Sequence, residues 1–147
     1  SLKQTFMKNN AMPLKALIML NPGEVVTEGD GAVSAFYSQA YALVRFLRED
    51  DYGKRLGKYQ KMLSDGLNGL WPIDQQDANA AADRNIPLTV IWNRNVGSAL
   101  FDRYIITGLE RPLVTKIKPG QDIVHFDTIE KEYFIFCKKI IYYVQLK

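Results

Sequence analysis

Val33-Ser34-Ala35-Phe36-Tyr37-Ser38-Gln39-Ala40-Tyr41-Ala42-Leu43-Val44-Arg45-Phe46-Leu47-Arg48 is the stretch whose reading decides the fold. Phe36, Ala40, Leu43, Val44 and Leu47 recur at the spacing of an α-helix. Tyr37, Tyr41, Ala42 and Phe46 fill most of the remaining circumference, so the polar face narrows to Ser34, Ser38, Arg45 and Arg48. A helix apolar nearly all round belongs at the centre of its bundle. The pattern therefore predicts a core helix over 33–48.

On its C-terminal side, Glu49-Asp50-Asp51 separates it from a third helix over 51–64, where carboxylates complement the dipole of a helix start. Tyr52, Leu56, Tyr59 and Leu63 form the apolar stripe of that helix, and Gly66 is the expected stop. So short a connection predicts that the two helices form an antiparallel hairpin. On the N-terminal side, Pro13 suits a first helical turn, and Leu14, Leu17 and Ile18 share one face of a short helix over 13–20. Asn21-Pro22-Gly23 ends it, and a glycine-rich loop is expected through Gly31.

Further along the signal weakens. Asp74 to Ala82 has helical propensity without an apolar face, and Leu88 to Trp92 reads as a short strand or the entry to a helix. Val96 to Ile106 reads as a fourth helix, with Leu100, Phe101, Tyr104 and Ile105 on its apolar side. Ile129, Tyr133, Phe136, Ile140 and Val144 fit a last helix over 128–146, although the same residue types also favour a β-hairpin. The expected class is mainly α: a helical bundle with an antiparallel helix hairpin, and room for a small β element in the C-terminal half. Residues 1–110 are expected to form the helical domain, with 111–147 as a tail packing on it.

Composition narrows the function classes. The chain has 147 residues, 47% of them apolar and 24% charged, with a net charge of +3 spread along its length. A nucleic-acid binder concentrates its positive charge on one face. Here the one basic stripe, Lys54, Arg55, Lys58 and Lys61, reads instead as a solvated face that would meet a protein or peptide partner, and no nucleic acid is expected. No apolar run reaches the roughly 20 residues of a membrane span. No signal peptide is visible, which leaves an exported parent compatible with the sequence.

Complete catalytic chemistry is hard to assemble. His125 is the only histidine, so a His-Glu-x-x-His zinc helix cannot form within the chain, and no metal site is expected. Asp122, Asp127 and Glu130 lie near His125 in sequence, but the stretch reads as a polar loop entering the last helix. Cys137 sits among Phe134, Phe136 and Ile140, which favours a buried thiol with a raised pKa over a reactive thiolate. Glu49, Asp50 and Asp51 diverge in direction, so capping accounts for them better than paired acid–base work. No phosphate loop, dinucleotide fingerprint or calcium loop occurs.

Pro13-Leu14-Lys15-Ala16-Leu17-Ile18-Met19-Leu20, followed after a loop by the core-helix stretch from Phe36 to Leu47, resembles the region just after the active site of bacterial peptidase-MA-like proteins, relatives of the gluzincin metallopeptidases. The resemblance covers about the first 66 residues. It implies the non-catalytic C-terminal helical subdomain of a zinc peptidase whose His-Glu-x-x-His helix and further glutamate lie N-terminal to this region. No cofactor then belongs to this chain, and zinc belongs only to that N-terminal catalytic part, which would be its partner. Tyr37, Gln39 and Tyr41 would line the back of the cleft in the whole enzyme. A chain opening Ser1-Leu2-Lys3 fits a cut or processed product. The alternative expectation is a stand-alone helical module that binds a protein or peptide.

Overall fold

The computed structural model describes residues 1–20, 22–73, 95–110, 112–113 and 126–145. Among these residues the protein is mainly α, with no strand. They divide into two compact units, one made of 1–56 with 126–147 and the other of 57–125.

The first unit is organised by α4, Asp30–Gly53, which contacts α1 (Leu2–Met7), α2 (Leu14–Met19), α3 (Pro22–Val26) and the last helix, α7 (Asp127–Gln145). The expected core helix is therefore central, but its buried face is rotated from the one that the large side chains suggest. Ala35, Phe36, Gln39, Ala42, Phe46 and Leu47 are buried, whereas Tyr37, Tyr41 and Val44 are exposed. Small side chains at Ala35 and Ala42 let neighbouring backbones approach, so the tight contacts follow the alanines and not the tyrosines.

α7 settles the choice between helix and hairpin in favour of helix. Ile129, Tyr133, Phe136 and Cys137 form its buried stripe, and the rings of Tyr133 and Phe136 each meet Phe46 edge-on at 5.7 Å. Phe6 of α1 closes onto Phe134 at 5.8 Å. Where a glycine-rich loop was expected, α3 occupies the residues just after Asn21, with Val25 buried. Pro22 opens it, in the first-turn position that proline suits.

α2 starts at Leu14, as Pro13 predicts, but its start has no cap of its own. The free N–H of Leu14 donates to Glu130 Oε2 at 2.9 Å, so a carboxylate from α7 closes the first turn of α2. A charge-assisted bond of this kind joins the two ends of the sequence and contributes about 1 kcal/mol or somewhat more.

The second unit contains α5 (Leu56–Leu67), helical residues 95–101 as α6, and a π-helical continuation, Asp102–Thr107. Gly66 does not end α5. Gly69, at φ +69°, takes the left-handed position, with the Leu70 N–H donating to the Asp65 carbonyl at 2.7 Å and the Gly69 N–H to the Gly66 carbonyl at 3.3 Å. Gly66 serves packing instead: the Trp71 ring lies where a side chain would project, and its Nε1 donates to the Met62 carbonyl at 2.8 Å. The fourth-helix expectation holds, since Val96, Leu100, Phe101, Tyr104 and Ile105 are buried. Tyr104 donates to Asp65 at 2.7 Å, tying the π-helical turn to α5. The expected hairpin partners, α4 and α5, fall in different units; the stretch 88–92 and the Asp122–His125 region lie outside the described residues.

Candidate functional site

The three residues singled out on the core helix part company. Gln39 is wholly buried, and its side chain brackets the Met12 peptide groups: Oε1 accepts from the Met12 N–H at 2.7 Å, and Nε2 donates to the Met12 carbonyl at 2.9 Å. Its own carbonyl accepts from Tyr133 Oη at 2.7 Å. Gln39 is thus a structural hub that holds the strand of chain before α2 and the middle of α7 against α4.

Tyr37 and Tyr41 point the other way, 58% and 67% exposed. They stand one turn apart, with Val44 continuing the row and Phe36 meeting the Tyr37 ring edge-on at 5.4 Å. An exposed aromatic row on the central helix of a unit is the kind of surface that meets another protein, because tyrosine supplies large contact area at small entropic cost.

The four basic residues also separate. Arg55 is 7% exposed, its guanidinium lying 4.5 Å over the Phe46 ring and donating to Asp50 at 3.0 Å and to Glu132. It is a buried clamp and not a surface cation. The cause lies in the preceding turn, where Asp50 turns extended, Asp51 and Tyr52 adopt left-handed backbone at φ +49° and +58°, and Gly53 follows at +74°. This reversal, at the break expected from Glu49-Asp50-Asp51, carries Arg55 back over Phe46. Lys54 is exposed and lies 3.4 Å from Asp51; Lys58 is exposed on α5; Lys61 pairs with Asp65 at 3.3 Å. The stripe Tyr52, Leu56, Tyr59 and Leu63 is not a buried face, as Tyr52 is fully exposed and no residue of α5 is buried.

Burial and hydrogen bonding shift four titratable groups among the described residues. Burial pushes the Cys137 thiol up to about 11, partly offset by its hydrogen bond with Tyr133, and burial likewise raises Tyr133. Burial and the Asp65 carboxylate push Tyr104 up to about 12, while the hydrogen bond from Tyr104 holds Asp65 below its usual range. A thiol at about 11, against an ordinary 9.0, has roughly a hundredfold less thiolate at pH 8. Alkylation of the native protein by iodoacetamide at pH 8 should therefore run at least about a hundredfold slower than in urea; equal rates would show an open thiol. The same shift has a sign for stability. Unfolded chains lose the Cys137 proton first as pH climbs past about 9, so the melting temperature should fall between about pH 9 and 11.

Several carboxylates and the thiol of the first unit already have partners or are buried. Glu130 is committed to Leu14, Asp50 and Glu132 are committed to Arg55, and Cys137 is a buried neutral thiol. Among the described residues no three or more His, Cys, Asp or Glu side chains are grouped to hold an ion. No helix among them is long and apolar enough to cross a membrane. The chain matches no protein-family model, no curated protein and no solved structure.

Sequence reasoning missed the buried role of Gln39, the Glu130 cap and the Arg55 clamp. One signal was legible: Gln39 stands in phase with Ala35, Ala42 and Phe46, a polar residue on a helix face that small residues mark as closely packed.

Proposed function

We propose that this chain is the non-catalytic C-terminal helical subdomain of a peptidase-MA-like zinc metallopeptidase, and that α4 is the wall on which the catalytic part packs. The observation that carries this reading is the outward row Tyr37, Tyr41 and Val44, which lies inside the stretch that bears the family resemblance. An exposed apolar row on an otherwise well-packed helix suits a protein interface. The inward residue of the same stretch, Gln39, keeps that helix rigidly placed. In such a parent, zinc and its ligands come from the other part, and this chain contributes shape and support.

The test uses the protein encoded by the complete reading frame, with Tyr37→Ala and Tyr41→Ala combined. Both side chains are exposed, so the helical part should keep its far-ultraviolet dichroism and melt within about 0.5 kcal/mol of the parent. Peptide hydrolysis should fall at least about tenfold, because loss of two interfacial tyrosines loosens a wall of the cleft. Unchanged hydrolysis would remove this face from the active assembly. Retained folding with lost capture of a separate protein, and no zinc-dependent hydrolysis in the parent, would favour the stand-alone binding module.

A further inference from the structure

The outward face of α4 carries more than its tyrosines. Asp30 and Arg48 stand five helical turns apart, so they lie on that same face, about 27 Å from one another, with Tyr37, Tyr41 and Val44 between them. The helix is regular over this length, because its backbone leaves helical angles only from Asp50 onward. Both charged side chains are exposed, and neither has an ion pair among the described residues. The buried residues Ala35, Gln39, Ala42 and Phe46 occupy the opposite side of the helix, so this face is turned away from the core of the first unit.

The order of residues along the face is self-complementary. It is acidic at its N-terminal end and basic at the other, and the two tyrosines sit symmetrically about the level of residue 39. An antiparallel copy of the same helix, related by a two-fold axis at that level, sets Tyr37 level with the partner's Tyr41, Ser34 with the partner's Val44 and Asp30 with the partner's Arg48. Every match then occurs twice. A two-fold contact requires this property, since one patch has to meet itself. A parallel copy would instead set Asp30 beside Asp30 and Arg48 beside Arg48.

We propose that this face pairs with a second copy of the chain, the two α4 helices running antiparallel and crossing at about 20°, with four tyrosines gathered around the two-fold axis. A steeper crossing would carry the helix ends apart and out of reach of the Asp30–Arg48 pairs. The tyrosine rings supply the contact area. The exposed charge pairs at the two ends add little affinity and fix direction and register. The proposal rests on the proposed function in one respect only, that the Tyr37–Tyr41 row is an interface. It adds a regulatory consequence: a face closed by a second copy is withheld from the catalytic part.

Sedimentation equilibrium of the 147-residue chain, from about 5 to about 500 µM, should show a monomer–dimer equilibrium with a micromolar dissociation constant, as a contact of modest area gives. Asp30→Arg and Arg48→Asp should each weaken the dimer at least about tenfold, since the two-fold axis counts every change twice. Mixing these two variants should restore a dimer of about the original affinity, because opposite charges then meet at both ends. A misfolded variant could not give that recovery. Tyr37→Ala combined with Tyr41→Ala should remove the dimer throughout the range while leaving the far-ultraviolet dichroism unchanged. A chain that stays monomeric, assemblies larger than a dimer, a dimer indifferent to both charge reversals, or a mixture no tighter than its components would each overturn the proposal. None of these results bears on zinc-dependent hydrolysis by the longer protein, so the dimer and the peptidase reading fail separately.

Discussion

Gln39→Ala is expected to destabilise the first unit by about 3 kcal/mol, lowering its melting transition by roughly 10 °C or more. Two losses combine in that figure. The truncation leaves a small cavity where a wholly buried side chain stood, and it strips both partners from the Met12 peptide groups at 2.7 and 2.9 Å. Gln39→Met separates the two, because methionine fills the space and offers no amide. It should still cost about 2 kcal/mol, the expense of leaving an N–H and a carbonyl unpaired in a partly buried place. Near-ultraviolet dichroism during thermal melting reads this directly, since Phe46 and Tyr133 report packing around Gln39. A methionine variant as stable as the parent would mean that Met12 finds water and that Gln39 is merely filler.

Arg55→Ala should cost about 2–3 kcal/mol, although arginine is ordinarily a surface residue. The guanidinium covers the Phe46 ring and joins Asp50 to Glu132, thereby linking the end of α4 to α7. Removing it leaves two carboxylates facing one another without their common cation and uncovers a core aromatic ring. Glu132 remains partly exposed, which keeps the expected loss below that of a fully buried pair. Arg55→Lys should recover less than half of the loss, because a single ammonium cannot fork between two carboxylates and lies less well over an aromatic face. Combining Arg55→Ala with Asp50→Asn should cost less than the two single changes added together, as expected for residues in direct contact. Strict additivity in urea titrations would mean that the pair contributes nothing and that Arg55 acts only as cover.

Much of the fold was legible because it rests on periodicity. The core helix, the short helix after Pro13, the helix around Leu100 to Ile105 and the last helix all carry apolar residues at helical spacing, and tertiary packing kept them helical. The face of α4 was less legible. Reading by size favours tyrosine over alanine and glutamine, whereas packing favours whatever lets two helices approach, and the Gln39 side chain can be buried because the Met12 peptide groups satisfy both ends of its amide. The basic stripe misled for a related reason: helical spacing was assumed through residues 51–55, where the left-handed turn breaks it and folds Arg55 inward. Glu130 could not be assigned as a cap, because its partner Leu14 lies 116 residues away and a contact at that separation leaves no local pattern. At the candidate surface, sequence grouped Tyr37, Gln39 and Tyr41 on the core helix, and the structure turns the two tyrosines outward and Gln39 inward.

The most direct measurement of the central claim is the sequence of the complete reading frame that encodes Ser1. The account predicts that the same frame specifies, before Ser1, a His-Glu-x-x-His helix and a later glutamate, so that the helical wall and the zinc centre belong to one polypeptide. A frame that lacks those residues would contradict it, and the Tyr37–Tyr41 face would then belong to a binding module with a separate partner.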